Sequence, residues 1–383
     1  MHSLTAPDYR FIDTDLQLQE AVTDLETENT VAVDLEADSM YHYREKVCLI
    51  QLTAGHAVLL IDPLAVPDLS PLKPVFANPG IRKVLHGADY DIRSFYRDFD
   101  IKINHLFDTQ LASRFLGAAE TGLDAVLTRR FNVALDKKYQ KKDWSRRPLP
   151  AEMLTYAARD VLFLIPLADA LEKELKQKDR LFWVEEENLL LSRVRPNSTP
   201  RAPLYLSFKG AGRLSPPELG ILEALLQFRR AVAAKKDRPL FKVLGNSTLL
   251  SIVKNRPETV QELEKVQPLS ARQIDMFGRD LVEIVAGALA VPRENLPRYP
   301  RRNTPMLKPA VRRRVKVLHD WRENMAAQLE LDPSLICSKG AMGALAKLNP
   351  RTPSELDSIK EMKNWQKKVF GREIVAALKT PGK

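Results

Sequence analysis

Long apolar runs are missing from this chain. None approaches the roughly eighteen consecutive apolar residues that a membrane-spanning helix needs. The first ten residues hold no long apolar stretch, so a signal peptide is not expected and the cytoplasm is the expected compartment. Cysteine is scarce. Cys48 and Cys337 lie far apart, which excludes a disulfide scaffold and leaves no zinc-ligand spacing. Cys48 falls in Lys46-Val-Cys-Leu-Ile-Gln-Leu52, a strand pattern, and reads as a buried thiol. No G-x-x-x-x-G-K-[ST] stretch occurs, so a P-loop ATPase or helicase is excluded.

What is present is charge, unevenly spread. The 383 residues carry a formal net charge of +10 and are 44% hydrophobic, enough chain for two or three ordinary soluble domains. Residues 1–212 hold 27 Lys+Arg against 31 Asp+Glu, whereas residues 213–383 hold 32 against 18. An acidic front and a basic rear fit chemistry in one place and the holding of a polyanion in another.

Within the acidic half, Asp34 and Glu36 lie in the apolar stretch Val31-Ala-Val-Asp-Leu-Glu-Ala37. Alternation along a strand puts both carboxylates on one face and Val33 and Leu35 on the other. Asp91 follows in His86-Gly-Ala-Asp-Tyr-Asp-Ile92, at the start of a helix. Tyr156 and Asp160, in Tyr156-Ala-Ala-Arg-Asp160, are one helical turn apart and share a face. An acidic pair inside an apolar strand is expensive unless something neutralises it. Gathered carboxylates repel one another without cations, and two divalent metals held by carboxylates are a known device for phosphodiester hydrolysis. Oxygen-only ligands suit Mg²⁺ or Mn²⁺. Tyr156 is too weak an acid to serve as a strong base and suits the orienting of a water.

Residues 9–115 read as α/β. Strands are expected at Tyr9–Ile12, Thr30–Leu35, Val47–Thr53, Ala57–Ile61 and Ile81–Leu85, with a hairpin at Ala54-Gly55-His56. Thr14 caps a helix through Val22, and Asp108 caps another through Phe115. Strands that precede the first long helical region make the sheet mixed. One long helix is expected from Pro150 to about Leu175, carrying Tyr156 and Asp160. Residues 193–212, rich in Pro, Arg and Ser, read as a linker.

The rear of the chain repeats itself. A shift of 93 residues lays Phe228-Arg229 over Trp321-Arg322, Pro257 over Pro350, and Phe277-Gly-Arg over Phe370-Gly-Arg, without a gap. This divides the chain into residues 1–192, a linker 193–212, a helical domain 213–293, a linker 294–307 and a second helical domain 308–380.

The segments Asp34-Leu-Glu36, His86 to Asp91 and Tyr156 to Asp160 resemble the three exonuclease motifs of the DEDD superfamily, in its tyrosine-bearing subclass. Phe107-Asp-Thr-Gln-Leu-Ala-Ser113 and Asp143-Trp-Ser-Arg-Arg-Pro-Leu149 add a closer resemblance to the ribonuclease D family. The two repeats resemble the HRDC domain, an auxiliary nucleic-acid-binding module. The resemblance implies a mixed-sheet, RNase H-like 3′-5′ exonuclease domain followed by two small all-helical HRDC-like domains. Its catalytic set is Asp34, Glu36, Asp91, Tyr156 and Asp160, the four carboxylates being metal ligands. Asp91 fits the ligand position directly before Ile92, and Asp89 reads as a helix cap. The second repeat departs from the first where Glu330-Leu-Asp-Pro333 replaces Asp237-Arg-Pro-Leu240.

His86, Lys141, Lys142, Arg146 and Arg147 are candidate RNA contacts, with Arg44 and Lys46 weaker ones; His86 reads equally as a structural histidine. The expected activity is metal-dependent 3′→5′ exoribonuclease cleavage by a monomer. It would release nucleoside 5′-monophosphates, with transfer-RNA precursors as substrates. The alternatives are a DNA 3′→5′ exonuclease, since the metal chemistry attacks phosphate and not sugar, and a non-catalytic nucleic-acid adaptor.

Overall fold

A computed structural model describes residues 7–55, 57–196, 203–265, 269–300 and 307–379. They fall into two compact units. The first takes in the described residues of 1–37, 47–196 and 305–383, and the second those of 38–46 and 197–304.

The first unit is built on β1 (Arg10–Ile12), α1 (Asp15–Glu26), β2 (Thr30–Ala37), β3 (Val47–Ala54), β4 (Ala57–Ile61), α2 (Lys73–Ala77), β5 (Arg82–Leu85), α3 (Asp89–Phe99), β6 (Leu106–Asp108) and α4 (Thr109–Phe115). The strands form one sheet in the order β1-β4-β3-β2-β5-β6. β2, β3 and β4 are an antiparallel meander, while β1 pairs with β4, β5 with β2 and β6 with β5, each in parallel. The sheet is mixed, as the strand order along the chain requires. The hairpin expected at Ala54-Gly55-His56 includes His56, which lies outside the described residues. β6 went unread because three residues give no periodicity.

Alternation along β2 decides where the chemistry lies. Val31, Val33 and Leu35 enter the core beneath α1, α2 and α3. Ala32 enters the core on the other face. That second face is covered by α5 (Leu123–Phe131), α6 (Ala151–Leu162), α7 (Leu164–Gln177) and α8 (Leu181–Leu191). The single helix expected from Pro150 to Leu175 is two, broken at Phe163. Pro166 explains the break: it offers no N–H to the carbonyl of Leu162, and its ring clashes there.

The second unit holds α9 (Pro216–Lys236), α10 (Leu240–Val243), α11 (Asn246–Asn255), α12 (Val260–Glu264) and α13 (Ala271–Leu289) around one apolar core. Residues 203–212, read as linker, contribute buried Tyr205, Phe208 and Ala211 to that core. The second repeat returns to the first unit as α14 (Pro309–Leu329), α15 (Pro333–Ile336), α16 (Lys339–Leu348) and α17 (Asn364–Lys379). The 93-residue repeat is visible atom by atom. Arg229 and Arg322 are both buried, and each donates to the carbonyl of the residue fifteen positions on, Leu244 and Cys337. Asp237 and Glu330 both end the first repeat helix in a left-handed conformation.

The second repeat shares the catalytic half's core. Trp365 stacks on Trp183 of α8 with centroids 4.7 Å apart, and Phe115 and Phe370 meet the pair edge-on. Buried Arg180 donates to the carbonyls of Phe115 and Leu329. Glu186 accepts from the N–H groups of Asn364 and Trp365, and Glu187 from the Trp365 indole. Both cysteines are buried free thiols.

Candidate active site

Asp34 and Glu36 leave β2 on the face that packs against α6. Four residues apart on α6, Tyr156 and Asp160 reach the same place, a cavity of about 430 Å³. Its wall also includes His86, Gln110, Asp124, Leu135, Lys137 and Gln140. Asp91, buried in the first turn of α3, is not in the wall but acts on Glu36 from behind it.

Two tethers outside the acidic cluster fix this arrangement. Asp108, buried at the end of β6, accepts from the N–H groups of Gly87, Ala88, Gln110 and Leu111. It thereby caps α4 and pins the turn that launches α3 and Asp91. That turn needs Gly87, whose φ is +74°; a Cβ there would also crowd the Gln110 side chain at 3.1 Å. The second tether is Arg147. Its guanidinium binds Asp62 through Nε and Nη2 at 2.6 and 2.7 Å and donates to the carbonyls of Cys48 and Trp144. This seats the 143–150 turn on β3 and β4, and buried Trp144 rests against Tyr156 at 6.1 Å.

The electrostatics are those of crowded like charges. Burial pushes the Asp34 carboxyl up to about 6, against one favourable N–H from Leu35. Burial, and then Asp34, push Asp160 to about 8, partly offset by the Tyr156 hydroxyl that donates to it. Glu36 is raised well above its ordinary value by burial and by Asp34, Asp160 and Asp91. Asp91 is raised likewise by burial, Asp34 and Asp108. The charges that shift these groups are themselves carboxylates, Asp34, Asp91, Asp108 and Asp160. Burial and the carboxylates also lift the Tyr156 phenol far above its usual range, so at neutral pH it is a hydrogen-bond donor and no base. Among the described residues no three such side chains close on one point tightly enough to cage an ion unaided. The oxygen-only donor set and its uncompensated charge nevertheless fit divalent cations.

The expected RNA contacts divide. His86 lines the cavity, with Nδ1 bonded to the Thr109 hydroxyl and Nε2 to the Thr121 carbonyl, so its nitrogens serve the framework. Arg147 is a correction: its donors are spent on Asp62 and backbone carbonyls, where a phosphate was expected. Arg146 is 82% exposed beside Asp143. Lys141 and Lys142 are exposed and outside the cavity wall. The lysine that does line it is Lys137, ion-paired with Asp124 at 2.8 Å. Arg44 and Lys46 fall in the 38–46 segment of the second unit. Gln110, Asp124, Lys137 and Gln140 were missed. The one signal for Lys137 was its place in the lysine run 137–142.

Two carboxylates on β2 of a mixed sheet, one at the start of α3, and a tyrosine with a carboxylate on α6 describe a nuclease of the 3′-5′ exonuclease class. The family model for 3′-5′ exonucleases matches residues 9–176, and that for the HRDC domain matches residues 218–285 and 311–378. Ribonuclease D of Haemophilus influenzae is 30% identical over 376 residues, 97% of this chain and 93% of the relative. The crystal structure of Escherichia coli RNase D, described as an exoribonuclease involved in structured RNA processing, superposes with a TM-score of 0.72. It is 25% identical and covers 97% of this chain and 98% of that one. The catalytic core of RRP6 from Trypanosoma brucei is 33% identical, with a TM-score of 0.66, over 75% of this chain and 81% of that one. The chain belongs to the ribonuclease D family and is a 3′→5′ exoribonuclease. Exonucleases of this superfamily generally depend on divalent metal ions.

Proposed function

We propose that this protein acts as a monomer in the cytoplasm, trimming the 3′ ends of transfer-RNA precursors and releasing nucleoside 5′-monophosphates. The observation that carries the chemistry is the convergence of Asp34, Glu36, Tyr156 and Asp160 on one cavity with Asp91 behind it. The relation to an exoribonuclease of structured RNA and the +14 balance of residues 213–383 support the substrate class. No described helix is long and apolar enough to cross a membrane.

Asp34, Glu36, Asp91 and Asp160 would hold two Mg²⁺ or Mn²⁺ ions. Bound there, the metals supply Lewis-acid stabilisation of the phosphate and lower the pKa of the attacking water. The chain's own contribution is placement. The Tyr156 hydroxyl, fixed by Trp144 and bonded to Asp160, orients the nucleophile in line with the scissile phosphate. Lys137 offers its charge to a phosphate by leaving Asp124.

The test is a 5′-labelled RNA with a transfer-RNA body and a 3′ extension, compared with plain single-stranded RNA and DNA in Mg²⁺ or Mn²⁺. The expected result is a ladder shortened from the 3′ end, fastest on the precursor, stopped by EDTA and slowed by a 3′-phosphate. Equal rates on all three substrates would refute the substrate, and cleavage of a circular RNA would refute the direction.

A further inference from the structure

A second cavity, of about 350 Å³, adjoins the first. The two share Leu135, Asp136, Tyr156 and Asp160 in their walls, so they meet at the candidate catalytic residues. The 135–140 turn separates them. Lys137 and Gln140 line the first cavity, while Lys138 and Tyr139 line the second.

Tyr139 is half-buried and stands edge-on to Tyr156, with centroids 5.8 Å apart and an interplanar angle of 63°. The ammonium of Lys138 lies 5.1 Å from its ring centroid. Ala151, Glu152, Thr155 and Arg159 complete its lining. An aromatic ring beside a cation, in a cavity large enough for a small molecule, is the chemistry that takes a nucleobase and its phosphate.

Resting on the exoribonuclease reading, we propose that this second cavity binds the penultimate nucleotide of the RNA, its base stacked on Tyr139. An exonuclease cuts the phosphodiester between the last two nucleotides. That phosphate must lie at Tyr156 and Asp160, the boundary the cavities share, so one nucleotide falls on each side. The first cavity, walled by Asp34, Glu36, His86 and Gln110, takes the terminal nucleotide. The second takes its neighbour, and exposed Lys138 meets the next phosphate. Tyr139 is thus a substrate-binding residue for the nucleotide that remains on the chain.

The test pairs protein and substrate changes in the full-length protein. Initial rates of 3′-nucleotide release are measured for wild type, Tyr139→Phe, Tyr139→Leu and Tyr139→Ala. The substrates are an RNA pentamer and the same pentamer with an abasic penultimate residue. Tyr139→Phe should retain kcat/KM. Tyr139→Leu, which keeps apolar packing against Tyr156, and Tyr139→Ala should each lose about tenfold on the intact RNA, mainly in KM. On the abasic RNA both should fall within twofold of wild type, because the stacking partner is already gone. An equal loss on both substrates would mean that Tyr139 acts only by packing on Tyr156, and the inference falls. A wild type that releases nothing from the intact pentamer overturns the nuclease reading itself, and this inference with it.

Discussion

Asp34→Asn should inactivate the enzyme and stabilise its metal-free fold, and the stabilisation should appear only above a certain pH. In the unfolded chain Asp34 loses its proton near 4. In the fold, burial holds that proton until about pH 6. Between those values the native state binds more protons than the unfolded state, so stability is lost as pH rises through the window. A rise from 3.8 to about 6 withholds about 3 kcal/mol above pH 6. The loss continues to about pH 8 through Asp160, which is raised by burial and by the Asp34 charge. A neutral isostere removes the first contribution and part of the second, while Asp91 and Glu36 relax as well. Some of the 3 kcal/mol is recovered in wild type by solvent screening, so the expected gain at pH 8 is about 1–3 kcal/mol, or roughly 2–5 °C in Tm. At pH 5, midway through the window, about half of that gain should already be present, and at pH 3.5, where Asp34 largely keeps its proton in both states, the two proteins should melt within about 1 °C of each other. The assay is thermal unfolding in EDTA at pH 3.5, 5, 6, 7 and 8, with RNA turnover measured in parallel. A variant that melts below wild type at pH 8, or differs equally at every pH, would refute crowded like charge as the character of this site.

Tyr156→Phe should lower kcat by about 10²-fold with KM and Tm nearly unchanged, since it removes one positioned hydroxyl and leaves the packing against Trp144; stopped-flow turnover and calorimetry check it. Arg147→Lys should cost about 2 kcal/mol by denaturant unfolding through the lost bidentate pair with Asp62. Its RNA affinity by fluorescence anisotropy should stay within twofold of wild type, and a tenfold loss would return Arg147 to the RNA. Trp183→Ala should cost about 3–5 kcal/mol, and a chain ending before α14 should be aggregation-prone because Phe115 and Trp183 lose their cover.

The candidate site was legible because its cost is written into the local sequence. Two carboxylates in an eight-residue apolar strand admit few explanations, and a period of two fixes their common face. Tyr156 and Asp160 were equally legible through the period of the helix. The cavity wall was not. Gln110, Asp124, Lys137 and Gln140 come from two helices and a turn with no shared period, and only the tertiary fold assembles them. Arg147 shows the opposite failure. A cation in a basic run looks like a phosphate ligand until its partner Asp62, 85 residues away, is known.

The second helical repeat misled for a related reason. Its 93-residue kinship with the first suggested a second small helical domain, departing from the first at Glu330-Leu-Asp-Pro333, and the net charge of the rear half suggested a share in holding RNA for both copies. Repeats conserve the internal frame, here Arg229 and Arg322 on equivalent carbonyls, but leave the outer face free to differ. The clue to that difference lay elsewhere, in α8. Its Leu181-Phe-Trp-Val and Leu189-Leu-Leu191 segments make it apolar on more than one side, and a helix of that kind is covered on more than one side. The sheet side accounts for one cover, and Trp365 with Phe370 supplies the other. The carboxylates of Glu186 and Glu187 are spent on the first N–H groups of α17 and on the Trp365 indole. Acid in the front half and base in the rear therefore do not divide into a catalytic body and two free RNA-binding arms. Part of the basic rear is built into the catalytic core, and any charge it offers RNA is presented from a surface fixed to that core.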